Sequence, residues 1–129
     1  MYHEICRITK EIREFFFKSN YETFQDFPNG FCKIASLVLH HKLKKDIGLL
    51  SVCHCGWDKE DENSHSWLET KSYIIDCTID QIIKSETNQF VFKKNDYPLK
   101  DRFIRNVGIV NPDDIRKGSP YDFALNNFV

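Results

Sequence analysis

Cysteine and histidine side chains are the groups in this 129-residue chain best suited to nucleophilic chemistry, and there are five of each. Cys32 has the most favourable position, because it follows the turn residues Pro28-Asn29-Gly30 and opens an apolar segment with helical spacing. Unpaired N–H groups in the first turn of a helix favour an anion and lower the pKa of a thiol there. They can also hold a developing oxyanion. Cys32 is therefore the predicted nucleophile.

A cysteine nucleophile needs a base within hydrogen-bond reach and a third group that orients the base. His65 and Asp76 lie directly opposite each other, on one face, if their two strands are joined by a turn at Thr70-Lys71. A slip of one residue would place them on different faces. Thr-Lys is not a favoured turn pair, so the register is the weak step. We predict His65 as the base and Asp76 as its orienting group.

Two helices are predicted ahead of the strands. Apolar residues at helical spacing indicate an amphipathic helix over about residues 3–19. A second helix is expected from Phe31 to about Lys45, with apolar residues on more than one face, as in a central buried helix. Gly48 is its predicted stop. This second helix carries Cys32 in its first turn.

Short strands are predicted at about 49–56, 65–70 and 72–77, with a solvated acidic turn at 58–62. Thr78 offers a helix N-cap, with Gln81 in the capping-box position. A further strand is expected at 90–92, and the prolines at 98, 112 and 120 break up the remainder. The order of elements predicts an α+β fold in which the helix carrying Cys32 packs on an antiparallel sheet.

Three short segments resemble the papain-like superfamily of cysteine enzymes, and its transglutaminase-like branch most of all. They are Phe27-Pro28-Asn29-Gly30-Phe31-Cys32, His65-Ser66-Trp67-Leu68-Glu69, and Ile74-Ile75-Asp76-Cys77-Thr78 with Asp80-Gln81. In that branch a cysteine starts a central helix, a histidine opens one strand and an aspartate lies on the next. The resemblance implies that Cys32 is the nucleophile, His65 the general base and then acid, and Asp76 the orienting residue. Bacterial members include small peptidases, peptide-processing enzymes and deamidating toxins.

The resemblance also raises the question of the oxyanion donor. Papain relatives often place a glutamine just before the nucleophile, which makes Gln25 a candidate, although it lies further upstream than in those relatives. Asn29 is a rival side-chain donor, and the backbone N–H of Cys32 is a third. Trp67 is expected to pack beside His65 as an apolar wall, where it could also contact substrate.

The predicted activity is amide hydrolysis or acyl transfer through a Cys-His-Asp triad and a thioester intermediate. A peptidase, a glutamine deamidase and a transglutaminase share these steps, and the residues alone do not choose among them, because pocket shape and water access set the acceptor. The alternative from a different class is a catalytically inactive papain-like domain that serves in protein interaction. Acyl transfer from a thioester carrier is a third reading, but no Gly-rich or basic loop indicates a phosphate site.

Length, net charge and the absence of long apolar runs limit the classes of partner that we expect. The length favours a single domain over residues 1–129. With 18 basic and 19 acidic residues the net charge is -1, which gives no global field for nucleic acid or an anionic membrane. No stretch approaches the roughly 20 apolar residues that cross a bilayer. We expect a peptide or protein substrate, no nucleic-acid or membrane partner, and leave the oligomeric state open.

Five cysteines are an odd number, so a disulfide framework cannot use them all. We expect free thiols in the cytoplasm or another reducing compartment, although a secreted or injected effector is also compatible. The run Cys53-His54-Cys55 invites a metal reading. In a strand, however, the two cysteines share one face and His54 takes the other, whereas zinc needs about four converging ligands. We therefore expect neither a metal nor a cofactor.

Overall fold

Three α-helices and a five-stranded antiparallel sheet make up the described part of the computed structural model, which covers residues 1–83 and 89–129, with only the backbone at 104–107. The helices are α1 (Tyr2–Lys18), α2 (Cys32–Ile47) and α3 (Pro120–Phe128). The strands are β1 (Val52–Asp58), β2 (Asn63–Glu69), β3 (Tyr73–Ile75), β4 (Val91–Lys93) and β5 (Phe103–Val110), in the spatial order β4-β3-β2-β1-β5. The predicted α+β class is confirmed.

Helix α2 is central, as its apolar pattern predicted. It packs against α1, α3 and the strands β1 and β2. Its buried residues lie on several sides of the helix, and they are Ala35, Ser36, Leu37, Val38, Leu39 and Leu43. Gly48 ends the helix in the left-handed conformation, with φ of 64°, and its N–H donates to Lys44 O at 3.1 Å. The predicted stop at Gly48 is therefore confirmed, and Cys32 occupies the first helical position.

Helix α1 packs its apolar stripe on the core and also fixes a distant turn. Ile5, Ile8 and Ile12 are fully buried along that stripe. From another side of the helix, Arg13 makes two hydrogen bonds to the carboxylate of Asp80, at 3.0 and 2.7 Å. Asp80 lies in a short 3₁₀ helix, Ile79–Gln81. Such a bidentate pair fixes both distance and angle, so α1 holds this turn in place.

The sheet separates two groups of buried apolar side chains. Cys53, Leu68 and Ile75 belong to the main core, together with the helices. Trp67 and Ile74 belong to a second cluster, formed with residues that follow β3 along the chain, namely Ile79, Phe92, Tyr97, Leu99 and Phe103. This alternation along β2 and β3 is the normal consequence of strand geometry.

The predicted pairing of the β2–β3 hairpin is wrong by two residues. Leu68 faces Ile75, and Thr70 N donates to Tyr73 O at 2.8 Å, so the turn is Lys71-Ser72. The hydroxyl of Thr70 accepts a hydrogen bond from Tyr73 N at 2.9 Å, which stabilises this tighter turn.

The two-residue difference leaves the faces unchanged, because side chains alternate with a period of two. Asp76 follows the last residue of β3. When the observed register is extended to Asp76, the residue opposite it is Trp67, which lies two residues along β2 from His65. His65 and Asp76 are therefore diagonal neighbours on one face, within reach of each other.

Residues 59–62 of the acidic turn are exposed, as predicted, but Asp58 is not. Asp58 is buried at the end of β1 and pairs with Arg102 at 2.8 Å. Arg102 also contacts Glu60 at 3.4 Å and Asp61 at 2.9 Å. The guanidinium hydrogen-bonded to Asp58 holds the pKa of that carboxyl below its ordinary value. One arginine thus organises the β1–β2 connection.

The last third of the chain contains two elements that the sequence reading missed. Strand β5 forms the edge of the sheet beside β1, and helix α3 packs on α2. Pro120 begins α3 instead of breaking it, since proline at the first helical position loses no intrahelical hydrogen bond. Ser119 is the N-cap, and its hydroxyl accepts a hydrogen bond from Asp122 N at 3.2 Å.

Replacing Gly56 with alanine is expected to destabilise the fold. A Cβ there would lie 2.8 Å from Phe103 Cβ and 2.9 Å from a ring atom of Trp67, which is closer than packed carbon atoms can approach. We expect Gly56→Ala to lower the free energy of unfolding by about 1–3 kcal/mol, as measured by urea denaturation. Ser64→Ala, on the exposed part of β2, is the control and should change stability by less than about 0.5 kcal/mol. Equal stability of both variants would contradict this packing.

Candidate active site

His65 and Asp76 form a hydrogen-bonded pair that is removed from solvent. His65 Nε2 lies 2.7 Å from Asp76 Oδ2, and the two side chains are 1% and 0% exposed. The hydroxyl of Tyr97 donates to the same oxygen at 2.6 Å. Among the described residues, Asp76 Oδ1 has no hydrogen-bond partner. The structure therefore brings together two of the three residues expected to be catalytic, and adds Tyr97, which no sequence pattern indicated.

Two aromatic rings pack beside the imidazole of His65. The centroid of Phe103 lies 5.4 Å from that of His65, and the centroid of Trp67 lies 6.2 Å away, with interplanar angles of 26° and 25°. Trp67 is only 2% exposed and lies outside the residues that line the neighbouring cleft. Its contact is with the imidazole, as an apolar wall.

The environment favours the protonated form of His65. Burial alone would lower its pKa, but the charge of Asp76, the hydrogen bond to Asp76 and the Cys32 thiol outweigh burial and raise the pKa of His65 to about 10. Because Nε2 is directed at Asp76, Nδ1 is the ring nitrogen left for chemistry. A carboxylate that orients and stabilises an imidazolium in this way supports a thiolate–imidazolium pair, whose imidazolium can later donate its proton to a leaving group.

Cys32 differs chemically from the two deeply buried cysteines. Burial raises the pKa of its thiol, but the hydrogen bond and charge of His65, with smaller contributions from Ser66 and Gln81, bring that pKa below its ordinary value. In contrast, burial raises the pKa of Cys53 to about 12 and that of Cys77 further still. Of these three thiols, Cys32 is therefore the one whose pKa is lowered and which ionises most readily.

Gln81 is a site residue that the sequence reading assigned to another role. Its Nε2 lies 3.0 Å from His65 Nδ1, and its Oε1 accepts a hydrogen bond from Gly30 N at 3.2 Å. Thr78 is the N-cap of the turn, as predicted, but its side chain makes no capping hydrogen bond. The glutamine is directed at the histidine instead. The signal that could have found it was its position just after Asp76, in the segment that carried the family resemblance.

A cleft of about 640 Å³ opens beside these residues. Cys32, His65 and Gln81 line it together with Asn29 and Gly30. The cleft also contains charged side chains of both signs, which are Lys33, Asp58 and Asp61. Its volume lies within the usual range for ligand sites. A peptide segment or a long side chain could therefore reach the thiol.

The two side chains considered as oxyanion donors are placed differently. Asn29 lines the cleft, three residues before the start of α2. Gln25 is exposed on the short 3₁₀ helix Glu22–Asp26 and is not among the cleft residues. The structure thus brings Asn29 to the site and leaves Gln25 outside it.

The strand geometry directs the side chains of Cys53, His54 and Cys55 into different surroundings. Cys53 is buried in the core, Cys55 lines the cleft, and His54 lies 3.4 Å from the carboxylate of Glu69. Within residues 1–83 and 89–129, side chains at 104–107 aside, no group of three or more His, Cys, Asp or Glu residues is placed to hold a metal ion. All five cysteines are unpaired. In the same described part of the chain, no helix is both long and apolar enough to span a bilayer.

Comparison of the chain with protein-family models, with curated proteins and with solved structures finds no match. The site is therefore defined by the contacts, burial and charge of its own side chains. Those contacts join residues from four separate segments: the turn before α2, strand β2, the segment after β3, and the loop that carries Tyr97.

Alkylation kinetics should single out Cys32. At pH 7 its lowered pKa leaves more thiolate than an ordinary cysteine has, so iodoacetamide should modify Cys32 ahead of the half-buried Cys6 and Cys55. His65→Ala removes the group that lowers the pKa, so the pH midpoint should move upward and the rate at pH 7 should fall by about tenfold for each pKa unit. Timed labelling with peptide mass mapping follows all five thiols at once.

His54→Ala is the matched control for this experiment, because His54 lies on the neighbouring strand and does not line the cleft. Its Cys32 labelling rate and pH midpoint should equal those of the unmodified protein. Equal labelling rates at Cys6, Cys32 and Cys55 would contradict an activated thiol at position 32.

Proposed function

We propose that this chain is a cysteine-dependent amide hydrolase or acyl transferase with a papain-like, transglutaminase-like core. The observation that carries the proposal is the buried hydrogen bond between His65 and Asp76, which leaves His65 Nδ1 for the thiol of Cys32. The placement of Cys32 at the start of a central helix packed on an antiparallel sheet agrees with that core. A nucleophile, a base and an orienting group in one cleft are what acyl transfer requires.

In the proposed reaction His65 Nδ1 holds the proton of Cys32 from the outset, because the raised pKa of His65 and the lowered pKa of Cys32 favour the imidazolium–thiolate pair, and the thiolate attacks a carbonyl carbon. A tetrahedral intermediate forms, and backbone N–H groups at the start of α2 can stabilise its oxyanion. His65 then donates the proton to the leaving nitrogen, and a thioester with Cys32 remains. Water or an amine attacks the thioester, with His65 as base, and the free thiol is restored. Asp76 keeps its charge throughout and stabilises the imidazolium.

The acceptor and the carbonyl decide which product appears. Water acting on a peptide bond gives cleavage, water acting on a glutamine side chain gives glutamate, and an amine acceptor gives a new amide. The cleft lined by Cys32 is open and contains charges of both signs, which suits a peptide or protein substrate. All three reactions pass through the same thioester.

The burial of the His65–Asp76 pair favours chemistry over a purely binding role. Removing a carboxylate from water is costly, and in the described residues Asp76 retains one oxygen without a hydrogen bond. His65, whose pKa is raised, is the kind of perturbed titratable group that is often found beside a cleft at a functional site. A catalytic imidazole needs this arrangement, because the carboxylate orients the ring and stabilises its positive charge.

A proteome-derived peptide library with an added primary amine would test the activity. We expect one of three mass-spectrometric outcomes: new termini, a gain of about 1 Da at glutamine, or addition of the amine. Cys32→Ala should abolish the product, and Asp76→Asn should lower turnover by about 10⁴-fold, as when the orienting acid of a triad is neutralised.

Asp96→Asn is the matched control for Asp76→Asn, because Asp96 is exposed and lies outside the cleft. It should retain full activity. If the unmodified, folded protein and Cys32→Ala give identical peptide spectra, the proposed function is wrong.

A further inference from the structure

The side chain of Gln81 is held at its carbonyl end. Gly30, in the turn that precedes α2, donates its N–H to Gln81 Oε1 at 3.2 Å. A backbone N–H can only donate, so this contact fixes which end of the amide is oxygen. The NH₂ end must therefore point the other way, and it lies 3.0 Å from His65 Nδ1 and 3.3 Å from Thr78 Oγ1.

The backbone beneath Gln81 is also fixed. Ile79 is fully buried, and Asp80 is paired with Arg13 through two hydrogen bonds between side chains that are only 27% and 12% exposed. The amide is thus presented to the cleft from a rigid turn. A donor that needs no reorganisation during the reaction is the kind that stabilises a transition state most effectively.

The contact between Gln81 and His65 can exist in only one protonation state. Gln81 Nε2 donates to His65 Nδ1 while Nδ1 carries no proton. The raised pKa of His65 favours a proton on Nδ1 as well, and in that imidazolium two N–H groups face each other and this hydrogen bond is lost. Gln81 lines the cleft together with Cys32, and its amide contributes to the lowered pKa of that thiol. The amide N–H is therefore released from Nδ1 in the state in which Cys32 is a thiolate and His65 an imidazolium.

We propose that Gln81 is a catalytic residue whose Nε2–H group donates a hydrogen bond to the oxyanion of the tetrahedral intermediate. The inference rests on the proposed function and deepens it by naming the side-chain donor. No covalent bond to Gln81 forms or breaks: His65 holds the proton of Cys32, and the amide only donates a hydrogen bond. Because the new hydrogen bond is made only as the oxyanion forms, its energy lowers the barrier without tightening substrate binding.

Two probes of Cys32 separate this role from general support of the thiolate. Iodoacetamide reacts at a saturated carbon and forms no oxyanion, whereas p-nitrophenyl acetate acylates the thiol through one. In Gln81→Met, which keeps the bulk but loses the donor, acetylation of Cys32 should slow by about 100-fold or more. Alkylation should change by less than about threefold. Gln81→Ala, with the same expected pattern, shows that the result does not depend on the methionine side chain.

Three results would overturn the proposal. Acetylation at the normal rate in Gln81→Met would show that the amide contributes nothing to the intermediate. An equal slowing of both probes would limit Gln81 to supporting the thiolate or the local fold. Slow acetylation in Asn29→Ala together with normal acetylation in Gln81→Met would assign the donor role to Asn29.

Failure of the proposed function would look different from failure of this inference. In that case Cys32 of the unmodified protein would take up no acetyl group, and Cys32→Ala would release p-nitrophenolate at the same rate. When Cys32 is acetylated in the unmodified protein, the comparison with the Gln81 variants decides the inference alone. Circular dichroism and thermal unfolding of each variant confirm that the folded state is being compared.

Discussion

The hydrogen bond between His65 and Asp76 is the contact on which the rest of the site depends. A carboxylate taken out of water needs a donor and a positive charge close by, and here both come from the imidazole and the hydroxyl of Tyr97. The pair is possible because β2 and β3 present both side chains to the same face, where aromatic rings exclude solvent. The second apolar cluster is thus the environment of the pair as well as a part of the core.

The two ring nitrogens of His65 face different parts of the site, one the buried carboxylate of Asp76 and the other the cleft. Nε2 is committed to Asp76, whereas Nδ1 faces side chains that can exchange protons and hydrogen bonds, Cys32 and Gln81. These groups come from distant parts of the chain, and helices α1 and α2 fix their relative positions. Arg13 of α1 fixes the turn that carries Gln81, while α2 supplies the nucleophile at its first residue.

Local chemistry made some of this predictable from the sequence. Apolar spacing located α1 and α2, and the turn before Cys32 located a helix start. The face shared by His65 and Asp76 was predicted correctly although the register was wrong, because the error was two residues and side chains alternate with a period of two. The register itself depended on the Thr70 hydroxyl, and the roles of Gln81 and Tyr97 depend on contacts across the fold. Helix α3 was missed although Ser119-Pro120 is a helix-start signal, because proline was read only as a breaker.

The stacking of Trp67 on His65 has an optical consequence. An imidazolium ion held against an indole face draws charge from the excited ring and quenches its emission, whereas a neutral imidazole does so far less. Trp67 is 2% exposed, whereas Trp57, the other tryptophan of the chain, is 41% exposed and emits at longer wavelength. In a chain whose Trp57 is replaced by phenylalanine and whose His54, which also stacks on Trp67, is replaced by alanine, the remaining fluorescence reports the proton on His65 without a label and without a substrate.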